Sequence, residues 1–307
     1  MQYEVGDSVD APCRLCHGTK QHVTLAIDTP DRFERAAGIE EENYERYWLL
    51  CATCGLLNNH YTHDLSAVYD DAYYDPAVEG ESVRERFERI LAMPNTGSDN
   101  WARVQRIKAF VETYRSDWTG SPATTSILDI GAGTGIFLYR ALEAMPGWTA
   151  AAVEPTPQAC SHLRTLGEVP GIHPRCAQVQ TIEGYYRARM PELAGQVFGL
   201  VTLNKVVEHV PDPAALVRDA GEALAPGGVL YVEVPDKQTA ELRPSTDNIL
   251  GALHFELFDA GTLAMTLTKA GLSVLQVQRY TEPSGKITVS GFACRTEDFA
   301  QRCAGKR

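Results

Sequence analysis

Basic side chains are scarce in this 307-residue chain: 28 Lys and Arg stand against 40 Asp and Glu, a formal net charge of −12. Nucleic acid is bound chiefly through Lys and Arg, so this balance disfavours it as a partner. The first 62 residues are no exception, with ten acidic and five basic side chains. No uninterrupted apolar run approaches the roughly 20 residues that span a bilayer, which speaks against a membrane partner. Residues Met1 to Asp10 are acidic and lack the basic and apolar regions of a secretory signal, so a cytoplasmic protein is expected. Internal repeats and low-complexity segments are also missing. The length suffices for one full core plus a smaller accessory module.

What is present begins with Ile127-Leu128-Asp129-Ile130-Gly131-Ala132-Gly133-Thr134-Gly135. An apolar run breaks into a glycine turn, as a buried strand does when it feeds a loop that backbone and ligand approach closely. Ile136 to Met145 follows as a helix. Glu154 ends the next apolar run, Trp148 to Val153, nineteen residues beyond Gly135. A carboxylate at the tip of the second strand is where a doubly wound α/β fold meets a ribose diol. The loop also carries an acid, Asp129, at the strand end. That would repel a pyrophosphate but suits a ligand with an amino group and a sulfonium.

Downstream, Phe198 to Asn204 reads as a fourth strand, followed by Lys205-Val206-Val207-Glu208-His209-Val210-Pro211-Asp212-Pro213. Leu224-Ala225-Pro226-Gly227-Gly228 reads as a helix-closing turn before the short buried strand Val229 to Val234. In composition and order, the glycine loop, the acid at Glu154, the E-H-x-x-D-P segment and the Pro-Gly-Gly turn resemble the class I S-adenosylmethionine-dependent methyltransferases. The resemblance spans roughly Thr124 to Arg295, more than half the chain. It implies a Rossmann-like seven-stranded sheet with helices on both faces. Leu272 to Tyr280 and Lys286 to Arg295 would supply its last two strands and an antiparallel edge. Asp259 is a plausible N-cap for the helix Ala260 to Ala270 that precedes them.

Two pairs, Cys13-x-x-Cys16 and Cys51-x-x-Cys54, are separated by 34 residues. Each can offer two thiolates from one tight turn, and four sulfur ligands suit a closed, structural Zn²⁺ site. Two disulfides or a redox pair are the alternatives; a reducing compartment argues against the first and the doubling of the motif against the second. His17, His22, His60 and His63 lie near enough in sequence to substitute as ligands. The chain thus divides into a zinc-binding module (1–62), a helical lid and linker (63–122) and an S-adenosylmethionine-binding catalytic domain (123–307).

The resemblance assigns roles. Gly131, Gly133 and Gly135 would wrap the amino-acid end of the cofactor, Asp129 hold its ammonium through water or directly, Glu154 its ribose, and Asn204 its methionine portion. Tyr74, or its neighbour Tyr73, would donate a hydroxyl to the methionine carboxylate. His209 could take a proton from the acceptor, with Glu208 orienting it, and His254 is a second candidate base. The whole layout resembles zinc-binding methyltransferases of nucleotide-linked deoxysugars and related small molecules. The sugar C-methyltransferases of that group carry a further C-terminal domain and a tyrosine just before the E-H pair; Val206 and Val207 stand there here. O- or N-methylation of a sugar or natural-product intermediate is therefore expected. A methyltransferase of RNA or protein and a binding module without turnover are the other classes open.

Overall fold

Between Gln21 and Ile27 inward and outward side chains alternate, the period-two pattern of a sheet with one covered face. The computed structural model describes residues 3–42, 44–64, 80–114, 125–166 and 179–304. Four antiparallel strands form first: β1 (Ser8–Asp10), β2 (Lys20–Ile27), β3 (Arg46–Cys51) and β4 (Leu57–Tyr61). Tyr73 and Tyr74 lie outside the described residues.

The strands from Ser126 onward are β5 (Ser126–Ile130), β6 (Thr149–Glu154), β7 (Gln180–Glu183), β8 (Phe198–Asn204), β9 (Leu224–Pro235), β10 (Glu256–Leu257), β11 (Leu272–Thr281) and β12 (Ile287–Arg295). Seven of them make one sheet in the order β11-β12-β9-β8-β5-β6-β7. Of these, β5, β6, β8 and β9 are buried nearly throughout, as expected for strands covered on both faces, whereas β7 and β11 at the sheet's two edges are more polar and partly exposed. Successive side chains of β5 divide between two cores. Leu128 and Ile130 pack with the helices Pro213–Glu222 and Ala260–Lys269 on one face. Ile127 packs with Asp99–Tyr114 and Ile136–Ala144 on the other. Strand order reverses between β5 and β8, and the crevice above that switch point is where such sheets bind ligands.

Three features depart from the sequence reading. β12 is antiparallel to both β9 and β11, so the reversed strand lies one in from the edge. Pro226-Gly227-Gly228 is not a turn outside the strand: β9 starts at Leu224 and absorbs it, with Gly227 at φ 68°. A Cβ at Gly228 would stand 2.8 Å from the Phe198 carbonyl oxygen, so only glycine lets β9 approach β8 there. Lastly, the two-residue β10 leaves the large domain's chain and pairs antiparallel with β4, completing a five-stranded small sheet. Among the described residues no helix is long and apolar enough to cross a membrane.

Candidate functional site

Past Ile130 the chain turns through Gly131, Gly133 and Gly135, whose φ angles of 73°, 53° and 75° lie in the left-handed region. The Gly131 and Ala132 amides donate to the Val153 carbonyl at 2.8 and 3.3 Å, lacing the loop to the end of β6. A Cβ at Gly131 would meet Val206 Cγ2 at 2.6 Å. Over these strand ends opens a cavity of about 880 Å³, lined in part by Gly131, Glu154, Asn204, Val206 and His209. That is roomy enough for a nucleoside-sized ligand and part of a second molecule. Glu154 is buried; its Oε2 accepts from the Gly133 amide at 2.8 Å and its Oε1 from the Thr156 amide at 2.9 Å. Each oxygen keeps a further lone pair for a diol.

Asp129 stands elsewhere than the sequence reading puts it. It does not line the cavity; its Oδ1 accepts from Thr202 Oγ1 at 2.6 Å and from Asn204 Nδ2 at 2.9 Å. A strand residue one position before the tip points into the sheet's neighbours, so Asp129 acts by orienting Asn204. Burial pushes its carboxyl up to about 7, against the pull of those two hydrogen bonds. Asn204 Oδ1, on a residue that does line the cavity, is buried without a hydrogen-bond partner among the described residues. An unmet buried acceptor costs about 1–3 kcal/mol, which a cationic amino group would relieve. Glycine loop, Glu154 and Asn204 therefore fit S-adenosylmethionine.

Lys205, at φ 60°, bends the chain after β8 into a short turn, Val207–His209. The Phe255 amide donates to the Glu208 carbonyl oxygen at 2.7 Å and so draws the segment around His254 against it. The two imidazoles stand 4.6 Å apart, centre to centre. His209 Nδ1 lies 2.8 Å from the Leu253 carbonyl oxygen and His254 Nδ1 2.6 Å from that of Ile249. A carbonyl only accepts, so both Nδ1 atoms carry the proton. Glu208 does not orient His209, contrary to expectation: both its carboxyl oxygens are buried and without a hydrogen-bond partner among the described residues. Burial raises its carboxyl to about 8 and lowers His209 to about 4 and, with His209 as a like-charged neighbour, His254 to about 3. Glu208, His209 and His254 also line a second cavity of about 280 Å³, so His209 borders both. Two participants have no sequence signature: Lys205, which lines both cavities, and Glu256, buried on β10 with Arg14 Nε 3.7 Å away.

At the other end of the small sheet, Cys13 Sγ and Cys54 Sγ are 3.6 Å apart, and Cys16 Sγ and Cys51 Sγ 3.5 Å. A disulfide requires about 2.05 Å. Tetrahedral zinc with bonds of about 2.3 Å places its sulfurs about 3.8 Å apart, close to what is seen. His17 and Gly55, each following the second cysteine of its pair, have φ of 61° and 78°. Within the two turns the Gly18 and Thr53 amides donate to Cys16 Sγ and Cys51 Sγ, both at 3.4 Å. His17 instead meets Lys269 Nζ at 3.1 Å and His63 meets Glu34 at 3.0 Å; neither histidine joins the sulfurs. Lys269 and Lys237 Nζ donate to the Leu15 and Gly55 carbonyls at 2.6 Å, clasping both turns to the large domain.

A methyltransferase domain profile matches residues 83–277, nearly two thirds of the chain. The ubiquinone biosynthesis O-methyltransferase of Xanthomonas axonopodis pv. citri (strain 306) is 29% identical over 119 residues, 39% of this chain and 46% of that one. Its counterpart from Methylobacterium sp. (strain 4-46) is 34% identical over 167 residues, 51% of this chain and 63% of that one. The chain spans about half the length of the curated relatives it matches. Among solved structures, the glycopeptide N-methyltransferase MtfA aligns at 18% identity and a TM-score of 0.47, over 61% of this chain and 94% of that one. With its glycine loop, its acid at the tip of β6 and its seven-stranded sheet, the chain belongs to the methyltransferase domain family and has the fold of the class I S-adenosylmethionine-dependent members.

Proposed function

We propose that the protein transfers a methyl group from S-adenosylmethionine to an oxygen or nitrogen of a small molecule, with a nucleotide-linked sugar or related biosynthetic intermediate as acceptor. The observation that carries this reading is one continuous cavity wall, from the glycine loop and Glu154 through Asn204 to His209. When bound, the cofactor supplies a methyl group on a positively charged sulfur. Glu154 receives the ribose hydroxyls, Asn204 Oδ1 the ammonium, and the loop from Gly131 to Gly135 the amino-acid backbone. His209 reaches the acceptor from the side wall. Methyl transfer is an in-line displacement, and holding two reactants in line is worth on the order of 7–11 kcal/mol. Arg32, Arg86, Lys205 and Lys286 around the second cavity support an anionic acceptor such as a nucleoside diphosphate.

The same reading takes residues 1–62 as a module built on structural zinc, 63–122 as the helical segment before the catalytic domain, and 123–307 as that domain. Calorimetric titration of zinc-loaded protein with S-adenosylmethionine and, separately, NAD tests it. Micromolar binding of the former alone is expected, followed by transfer of labelled methyl to a panel of nucleotide-sugars. Folded, zinc-loaded protein that binds no S-adenosylmethionine would falsify the proposal.

A further inference from the structure

We propose that Glu208, His209 and His254 hold a divalent transition-metal cation at the wall between the two cavities. The inference rests on the methyltransferase reading for its role, though not for the site. Their ligating atoms lie within 4.8 Å of one another. Glu208 is 1% exposed, and neither carboxyl oxygen has a hydrogen-bond partner among the described residues. An orphaned buried carboxyl is costly and calls for a compensating partner. The nearby cation, Lys205, attracts the Glu208 carboxyl through space but does not bond to it: its Nζ donates to Thr288 Oγ1 at 2.9 Å and pairs with Glu233 at 3.6 Å. Glu256, two residues beyond His254, is buried with both oxygens likewise without hydrogen bonds among the described residues, Arg14 Nε standing 3.7 Å away; burial holds its carboxyl well above the usual carboxylate range.

The histidines are set as ligands are. Each gives its Nδ1 proton to a backbone carbonyl, the outer contact that fixes ring and tautomer in metal sites and assigns coordination to Nε2. Two imidazole nitrogens and one carboxylate oxygen form a borderline donor set. It suits Zn²⁺, Mn²⁺, Fe²⁺ or Co²⁺ rather than Mg²⁺, which demands a nearly all-oxygen octahedron. Three protein ligands leave a coordination position open toward the cavities.

A cation at this wall lowers the pKa of a hydroxyl placed against it. The acceptor's proton leaves to water, a carbon–oxygen bond forms, and the carbon–sulfur bond breaks with its electron pair staying on sulfur, which loses its charge. His209 then serves as a ligand in place of the direct base role that its position after β8 suggests.

Titration with Co²⁺ of protein already carrying one zinc on its four cysteines separates the sites. Cobalt among nitrogen and oxygen ligands gives weak visible bands without the intense near-ultraviolet band of thiolate coordination. One equivalent is expected in the wild type. Binding should weaken by at least about 100-fold in Glu208→Gln and in His254→Ala, more than loss of an outer partner typically costs. His254→Ala, at a less buried position than Glu208, carries the test if Glu208→Gln does not fold, retained zinc and circular dichroism being the criterion. No bound cobalt in the wild type, or equal affinity in the folded variants, overturns the cation site. Calorimetry with S-adenosylmethionine on the same samples keeps the readings apart: cofactor binding without a second metal removes the cation site alone, and a second metal without cofactor binding removes the methyltransferase reading alone.

Discussion

In the proposed function Glu154 carries two duties, because the oxygens it would offer the ribose also hold the Gly133 and Thr156 amides. Glu154→Ala should therefore weaken S-adenosylmethionine binding by roughly 2–4 kcal/mol in calorimetry and also lower stability, as two amides lose their acceptor. Asp129 gives a pH signature. Its carboxyl is raised from 3.8 to about 7, so the unfolded chain ionises first as pH rises while the folded chain keeps the proton. This group's contribution to stability is full below about pH 4 and lost as pH rises toward 7. Relative to Asp129→Asn, which does not titrate, the wild type should lose on the order of 4 kcal/mol between those limits. Urea unfolding of both proteins at pH 4 and pH 8 measures it, and a gap that ignores pH refutes the raised carboxyl. Glu154 and Asn204 were legible in the sequence because each ends an apolar run. Asp129 was legible as a site residue but not in its role: which neighbour a buried side chain faces depends on a strand 73 residues away in sequence, through Thr202.

Strand and loop lengths decide what periodicity reveals. The long helices and the strands β5, β6, β8 and β9 announce themselves through apolar runs, whereas β7, Gln-Thr-Ile-Glu, gives little signal. β10 does not, since two residues, Glu256 and Leu257, cannot display a period, and only the partner β4 makes them a strand. Pro226-Gly227-Gly228 carries turn chemistry, yet it lies within β9 as an irregularity between the pairs Leu224–Phe198 and Val229–Leu200 that β9 makes with β8. In the cofactor loop, Gly131 combines a φ of 73° with a Cβ position 2.6 Å from Val206 Cγ2. Gly131→Ala should abolish cofactor binding and destabilise the protein, about 1–2 kcal/mol of it from the left-handed backbone alone. Adding Val206→Ala should recover the part due to the contact and leave the backbone cost. A double variant no more stable in urea than Gly131→Ala would show that Val206 is not what excludes a side chain.

The two sheets of the molecule are joined through the segment that carries His254. Arg46 Nη1 donates to the Leu250 carbonyl at 2.8 Å, Tyr61 Oη to that of Ala252 at 2.7 Å, and Asn59 Nδ2 to that of His254 at 2.8 Å. Loss of the cysteine cluster should therefore be felt at the histidines. Cys51→Ser should lower zinc content and thermal stability together, a structural metal being part of the folding free energy. It should also speed amide hydrogen exchange from Leu250 to Leu257. Stoichiometric zinc in that variant would refute the four-cysteine site. The cysteine spacing showed the cluster in advance. That its sheet grips the wall of the ligand cavity was not legible, because those contacts join residues about 200 positions apart.

The late strand also sets an order of assembly during translation. Glu256 follows Tyr61 by 195 residues, so at about 5–20 residues per second β4 leaves the ribosome some 10–40 s before β10 exists to cover its edge. For that interval the nascent small sheet shows an open strand edge, the kind that recruits wrong partners. Zinc captured early by Cys13, Cys16, Cys51 and Cys54 would hold β2 to β4 in register while the rest of the chain is made. Metal starvation of a cell making this protein should then show first as aggregation of newly synthesised chains, with finished molecules spared.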